Sequence, residues 1–175
     1  MKKTARVIVT YKCNRSCPGC CNVHGNAIRK IGSINELLEY EEVVITGGEP
    51  MLLGWKLLDF IRKLRRIGFS GKIYMYSAWW SKKIHDIHIL QCVDGITYTL
   101  HSEMNDDDIS RYKELSDILW AIDSLDNRLF VDERTWDRFH ASENRRTRPW
   151  KEVRKLEWKA ECNPAPNEEL VEFLL

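Results

Sequence analysis

The stretch Arg6-Val-Ile-Val-Thr-Tyr-Lys-Cys13-Asn-Arg-Ser-Cys17-Pro-Gly-Cys20 combines a β-strand signal with a group of cysteines. The apolar run at residues 6–10 predicts a first strand, and the cysteines follow it with the spacing C-x3-C-x2-C. Thiolates are the usual protein ligands of a [4Fe–4S] cluster, which normally takes four. No fourth cysteine lies at a usable spacing, so one iron of such a cluster would stay open to a ligand other than protein.

The same cysteines also suit a zinc site. Together with His24, the thiols of Cys13, Cys17 and Cys20 could supply four ligands in tetrahedral geometry. Cys21 adjoins Cys20 and would point in another direction, so we expect it to be a small buried residue. From this segment alone, both an iron–sulfur cluster and a zinc ion remain open.

A second motif follows the next predicted strand, in the sequence Glu42-Val-Val-Ile-Thr-Gly-Gly-Glu-Pro50. Gly47 and Gly48 have no side chain, so backbone groups there can come close to a ligand. Glu49 supplies a negative charge, and the proline stiffens the turn. The alternative is an ordinary turn between a strand and a helix.

Taken together, the two motifs resemble the radical S-adenosylmethionine (SAM) family, in its order and at its usual separation. The resemblance covers roughly the first hundred residues well and the tail weakly. It implies that Cys13, Cys17 and Cys20 bind a [4Fe–4S] cluster and that Thr46–Pro50 holds the methionyl amino group of SAM. In that family, the reduced cluster cleaves SAM to methionine and a 5′-deoxyadenosyl radical, which takes a hydrogen atom from a substrate.

The rest of the chain alternates strand and helix signals. Such repeats predict a parallel sheet with right-handed crossovers. The 175 residues predict one α/β domain over 1–175. Because a full eight-unit barrel needs about 250 residues, the expected form of this domain is an open, partial (β/α)6-type barrel. The predicted strands are Arg6–Tyr11, Glu42–Thr46, Lys72–Ser77, Gly95–Leu100, Arg128–Val131 and Glu152–Trp158. The predicted helices are Ser33–Glu39, Trp55–Ile67, one within Ser81–Gln91, Asp107–Leu125 and Asn167–Leu175.

Composition restricts the function classes. The net charge of +1 gives no global field for nucleic acid or a membrane surface, so a nucleic-acid partner is not expected. No apolar run approaches the length of a membrane span. We therefore expect a cytoplasmic protein, whose six cysteines indicate metal or redox chemistry rather than disulfides.

Further polar residues end predicted strands, where ligands bind in parallel α/β folds. The resemblance suggests that Ser77 contacts the ribose or carboxylate of SAM, although a hydroxyl at a strand end is common. His101, Ser102 and Glu103 end the fourth strand and would also face the pocket. His101 could bond SAM or substrate, or be a structural histidine. Asp132 and Glu133 end the fifth strand with a similar, weaker case.

Other residues have a structural and a functional interpretation. Trp79 and Trp80 could exclude water at a rim or simply pack in the core. Cys162 could face the cavity or be a buried structural thiol. A basic stretch such as the one within Arg145–Lys155 is usually a solvated face and less often meets an acidic partner or phosphate.

The sequence indicates the substrate less clearly than the cofactors. Activases of glycyl-radical enzymes, particularly of anaerobic ribonucleotide reductase, share Cys-Pro-Gly-Cys followed by an aromatic residue and Asn; here Cys21 replaces the aromatic residue before Asn22. The leading hypothesis is an activase-like enzyme that takes hydrogen from a protein backbone, with an electron donor such as a flavodoxin or ferredoxin. The alternatives are modification of a peptide, nucleotide or small metabolite, and a zinc-binding, non-catalytic interaction domain.

Overall fold

A computed structural model describes residues 3–18, 20, 28–122, 125–142, 149–157 and 164–175. The predictions made above for Cys21, His24, Cys162 and the arginines at 145, 146 and 148 lie outside these residues.

The described residues alternate strands and helices through most of their length. The strands are β1 (Thr4–Thr10), β2 (Arg29–Lys30), β3 (Glu42–Gly47), β4 (Lys72–Ser77), β5 (Gly95–Leu100), β6 (Arg128–Asp132), β7 (Glu152–Leu156) and β8 (Glu168–Glu172). The α-helices are α1 (Trp55–Arg66), α2 (Ile84–Leu90), α3 (Asp106–Ala121) and α4 (Trp136–Ser142). Short 3-10 helices span Ile34–Glu39, Pro50–Leu53 and Glu133–Thr135.

All described strands belong to one sheet, in the order β2-β8-β1-β3-β4-β5-β6-β7. Every neighbouring pair runs parallel. The prediction of an α/β fold with a parallel sheet is confirmed, and all six predicted strands are present. An eight-stranded parallel sheet of this kind is compatible with a partial barrel.

The prediction for the last segment is wrong. Residues 167–175 were expected to form a helix, whereas β8 lies between β1 and β2 in the sheet. Val171 is fully buried and pairs with Val7 of β1. Beyond β8, the N–H of Phe173 donates to the carbonyl of Ile8 (3.0 Å). The open edge of β1 therefore decides the conformation of a segment whose local sequence also suits a helix.

Local signals placed several helix ends correctly. Ser33 caps the 3-10 helix at its start, where the predicted helix began, and with Glu36 it forms a capping box. Gly68, which has a φ of +100°, follows the end of α1. By contrast, α3 ends at Ala121, four residues before the predicted end at Leu125.

The apolar stripes of the helices form the core against the sheet. Leu57, Leu58, Ile61 and Leu64 of α1 recur at helical spacing and are all fully buried. In α3, the stripe is buried at Ile109, Tyr112, Leu115 and Leu119. This helix has 16 residues, and none of the helices described is both long and apolar enough to span a lipid bilayer.

Because the strands are parallel, their carboxyl ends meet at one edge of the sheet. The cysteine segment follows β1 there, and the Gly-Gly-Glu segment follows β3. Ser77 ends β4, and His101 follows β5 at the same edge. The topology thus collects residues from distant parts of the sequence at one edge.

Candidate functional site

The two sequence motifs are joined directly through their backbones. Past the end of β1, the carbonyl of Thr10 accepts a hydrogen bond from the N–H of Gly48 (2.7 Å). The carbonyl of Lys12 accepts one from the N–H of Glu49 (2.8 Å). Lys12 is the residue before Cys13, so the cysteine segment starts beside the Gly-Gly-Glu segment.

The two glycines allow this close approach. A Cβ atom on Gly48 would lie 2.2 Å from the carbonyl oxygen of Lys12. One on Gly47, whose φ is +129°, would lie 2.3 Å from the carbonyl oxygen of Thr10. The structure shows that these glycines make room for the protein's own backbone. Their approach to a ligand stays a prediction. Thr46 precedes them, half-buried at the end of β3.

Glu49 holds the ends of β3 and β4 together. Its side chain is buried, and its Oε1 accepts hydrogen bonds from Ser77 Oγ (2.7 Å) and from the N–H of Met51 (3.1 Å). Its Oε2 accepts one from the N–H of Ala78 (2.9 Å). Glu49 also caps the 3-10 helix, in which Pro50 is the first residue. The proposed contact of Glu49 with the SAM ammonium stays a prediction.

Burial raises the pKa of Glu49 to about 7, although the hydrogen bonds to Ala78, Ser77 and Met51 act in the opposite direction. The carboxyl group is therefore close to half-ionised at neutral pH. A cation that came close to this carboxyl group would lower its pKa and increase its ionisation.

Ser77 directs its polar group to Glu49. Because Ser77 Oγ lies 2.7 Å from Glu49 Oε1, its hydroxyl donates its one hydrogen bond to that oxygen. The hydroxyl oxygen in turn accepts a hydrogen bond from the N–H of Trp79 (3.0 Å). The contact of Ser77 with SAM stays a prediction.

The cysteine thiols are reduced and share one neighbourhood. Cys13 is exposed, and Cys17 and Cys20 are half-buried. The N–H of Cys20 donates to the carbonyl of Cys17 (3.1 Å), which closes a tight turn. Burial raises the pKa of Cys13 and of Cys17, and the charge of a Cys20 thiolate raises both further.

One thiol has a carboxylate partner. Cys17 Sγ donates a hydrogen bond to Glu103 Oε1 (2.8 Å). Within the described residues, no set of three or more His, Cys, Asp or Glu side chains is placed to hold a metal ion. The donor set still fits an iron–sulfur cluster in kind, since three free thiols lie on one segment. Binding would require Cys17 to lose its proton and leave Glu103.

Arg15 fixes the cysteine segment to the rest of the protein, a role for which no sequence signal exists. Its guanidinium makes a two-point contact with the carboxylate of Asp108 in the first turn of α3. It also donates to the carbonyl of Ala78 (3.0 Å), just past β4. The guanidinium is nearly buried, so Arg15 connects the segment between two of the cysteines to two other elements.

Asp108 is itself held in place. It forms a capping box with Asn105, in which each side chain accepts a hydrogen bond from the backbone N–H of the other residue (3.1 Å each). The pattern Asn-x-x-Asp before an apolar helix is a sequence signal that could have predicted this cap. The partnership of Asp108 with Arg15 had no such signal.

His101 and Asp132 lie at the same edge of the sheet. Burial lowers the pKa of His101, while the negative charges of Glu103 and Asp132 oppose this shift. Asp132 is buried at the end of β6 and binds the guanidinium of Arg134 (2.6 Å). The role of His101 toward SAM or substrate stays a prediction.

The paired tryptophans differ in their surroundings. Trp80 is buried in the core, whereas Trp79 is half-buried under the guanidinium of Arg111 (3.9 Å to the ring centroid). Cys92 packs against the core after α2. These contacts support the packing interpretation for Trp80.

Comparison with known proteins gives one partial match. The chain is 33% identical over 79 residues to a protein of Methanocaldococcus jannaschii whose provisional name describes a glycyl-radical enzyme activating enzyme. The match covers 41% of this chain and 33% of that protein, so the chain spans about a third of its relative. No protein-family model matches the chain.

The close approach at Gly48 predicts the effect of adding one methyl group. Gly48→Ala should lower the free energy of unfolding by more than about 2 kcal/mol, because the new Cβ meets the backbone of Lys12 and must push it away. Gly32→Ala is the control, since no atom lies within 4 Å of the Cβ position there. Urea denaturation measures both, and equal stability of the two variants would contradict the analysis.

The anchoring role of Arg15 predicts a large loss on removal of its charge. Arg15→Gln should cost about 3 kcal/mol of unfolding free energy, because the buried carboxylate of Asp108 loses its cation. Arg138→Gln breaks an exposed ion pair with Asp106, on the same turn of α3, and should cost much less. Similar losses in chemical denaturation would show that Arg15 is no more than a surface residue.

The raised pKa of Glu49 predicts a pH dependence of stability. Between the ordinary value near 4.5 and about 7, the folded protein holds a proton on Glu49 that the unfolded chain has released. Stability should therefore fall as pH rises through this window and then level off. Relative to Glu49→Gln, the wild type should lose about 3 kcal/mol between about pH 4 and about pH 8. Parallel stability curves for the two proteins would place the pKa of Glu49 at its ordinary value.

Proposed function

We propose that this protein is a radical SAM enzyme in which Cys13, Cys17 and Cys20 hold a [4Fe–4S] cluster. The observation that carries this proposal is the pair of hydrogen bonds from Gly48 and Glu49 to the residues just before Cys13. They bring the Gly-Gly-Glu segment beside the cysteine segment, and this proximity supports a shared site for SAM and a cluster. When bound, the cluster would supply the electron that cleaves SAM to methionine and a 5′-deoxyadenosyl radical.

Residues of the chain would prepare both binding sites. The three thiols would release their protons on binding iron, since the thiolate is the ligand. Arg15 would keep the cysteine segment against α3 and β4. The carboxyl group of Glu49, with a pKa of about 7, gains ionisation when a cation such as the SAM ammonium comes near.

For the substrate, we infer an activase-like reaction on a protein backbone. The name of the partial relative supports this inference, as does the match at Cys17-Pro-Gly-Cys20. In the described part of the chain, β2 and β7 are the edges of the sheet, an open arrangement that would admit a protein loop. The alternative is modification of a peptide, nucleotide or small metabolite at the same site.

The proposed reaction needs an electron from outside the chain. A flavodoxin or ferredoxin is the expected kind of donor. Such proteins deliver one electron at a time to an iron–sulfur centre, which matches the demand of SAM cleavage.

Metal analysis of anaerobically reconstituted protein tests the cluster. The wild type should be brown and contain about four irons per chain. Cys13→Ala, Cys17→Ala and Cys20→Ala should each lose the iron, the EPR signal of the reduced cluster and the release of 5′-deoxyadenosine from SAM. Cys92→Ala is the matched control and should keep all three, because Cys92 packs beside the core after α2.

Two results would count against the proposal. Colourless protein with one zinc per chain would identify a zinc-binding domain instead. A full iron content in any of the three alanine variants would remove that cysteine from the ligand set.

A further inference from the structure

Large apolar side chains are exposed where α1 and α2 begin. Leu52, Trp55 and Ile84 have exposed fractions of 45%, 52% and 60%. The ring of Trp55 lies against those of His85 and His88 of α2, at centroid distances of 5.7 and 6.0 Å. These five residues, together with the solvent side of α1, form a surface that we call the α1–α2 face.

The α1–α2 face has a fixed shape. Gly54, just before α1, has a φ of +55°, and a Cβ there would lie 3.1 Å from the imidazole of His85. Asp86 of α2 is fully buried and accepts hydrogen bonds from the N–H and the hydroxyl of Ser81. The starts of the two helices are thus packed closely together, and the exposed ring of Trp55 lies against a rigid part of the structure.

Positive charge extends along the solvent side of α1 and into the residues before α2. The exposed ionisable groups of α1 and of the residues leading into α2 include a single carboxylate, that of Asp59. The cations are Lys56, Arg62, Lys63, Arg66, Lys82 and Lys83. Among the described residues, Lys82 pairs with Glu114, and the other five have no ion pair. The whole chain has a net charge of only +1, so cations are concentrated on this face.

The α1–α2 face adjoins the candidate site. Leu52 lies three residues after Glu49, in the 3-10 helix that Glu49 caps. The N–H of Glu49 donates to the carbonyl of Lys12, next to Cys13. A protein seated on this face would therefore come close to the cysteine segment.

We propose that the α1–α2 face is the docking site of an acidic one-electron carrier protein of the flavodoxin kind. This inference rests on the proposed function, because only a cluster that cleaves SAM needs such a carrier. One electron would pass from the reduced flavin of the carrier to the cluster that the three cysteines would hold, and no bond between the two proteins would form or break.

The chemistry of the face favours this occupant. Tryptophan and arginine are the residues that contribute most to protein–protein binding, and an acidic partner matches the surrounding cations. A two-fold dimer of this chain would bring the face against itself and set cation against cation. A nucleic-acid duplex would leave the apolar centre uncovered, since its outer surface is phosphate. A single strand can stack its bases on an exposed aromatic ring, so it is tested below as a rival occupant.

Titration calorimetry with a purified, oxidised flavodoxin tests the docking. Trp55→Ser should weaken binding about tenfold. Lys56→Glu should weaken it too, with a smaller loss when salt rises from about 0.05 M to about 0.5 M than the wild type shows. Glutamate in the first turn of α1 favours the helix, so this second variant should fold well. Trp120→Ser and Lys113→Glu on α3 are the matched controls; Trp120 is exposed to 53%, as Trp55 is to 52%.

A comparison of two reductants distinguishes a failure of this inference from a failure of the proposed function. With dithionite as reductant, the wild type and all four variants should cleave SAM equally. With reduced flavodoxin, Trp55→Ser and Lys56→Glu should lose cleavage, and the two controls should keep it. Absence of cleavage with dithionite in the wild type would remove the proposed function itself.

Other results would overturn the docking site alone. One is equal flavodoxin affinity in Trp55→Ser and Trp120→Ser. Another is self-association of the wild type in sedimentation that Trp55→Ser abolishes, which would make the face a contact between copies of this chain. A third is tighter binding of a single-stranded DNA oligonucleotide than of flavodoxin.

Discussion

The hydrogen bonds that Gly48 and Glu49 donate to the carbonyls of Thr10 and Lys12 decide the geometry of the whole candidate site. They extend the pairing of β1 with β3 beyond the strands themselves, and they are possible only because neither glycine carries a Cβ. Two loops that would otherwise diverge thus leave the sheet side by side. The cysteine segment and the Gly-Gly-Glu segment are therefore parts of one structure, and a change in either backbone moves the other.

Buried polar groups then brace this arrangement from two directions. Glu49 connects the end of β3 to the end of β4, through Ser77 and Ala78. Arg15 connects the cysteine segment to the same Ala78 and to Asp108 of α3. Ala78 thus receives contacts from both sides of the site. A buried ion pair costs desolvation energy and contributes little net stability, so its value here is to fix one conformation of a segment that has little core of its own.

The sequence predicted the parts of this structure that repeat. The apolar stripe of α1 and six of the strands follow directly from periodicity, and the capping box at Ser33 follows from local chemistry. What it could not predict depends on distant partners. Residues 167–175 become a strand because β1 offers an open edge, and Arg15 finds Asp108 across 93 residues of sequence. The sequence showed the two site motifs, but it could not show that Gly47 and Gly48 lie against the backbone of Thr10 and Lys12.

The position of β8 also affects how the chain is made. Arg6 of β1 lies beside Glu168 of β8, 162 residues later in the sequence. While a ribosome synthesises the intervening chain, one edge of β1 therefore keeps its backbone N–H and C=O groups without their final partners, and such an edge can pair wrongly with another nascent chain. The cysteine segment directly follows that same strand. Until β8 pairs with β1, that segment therefore follows a strand that is supported on one side only, by β3.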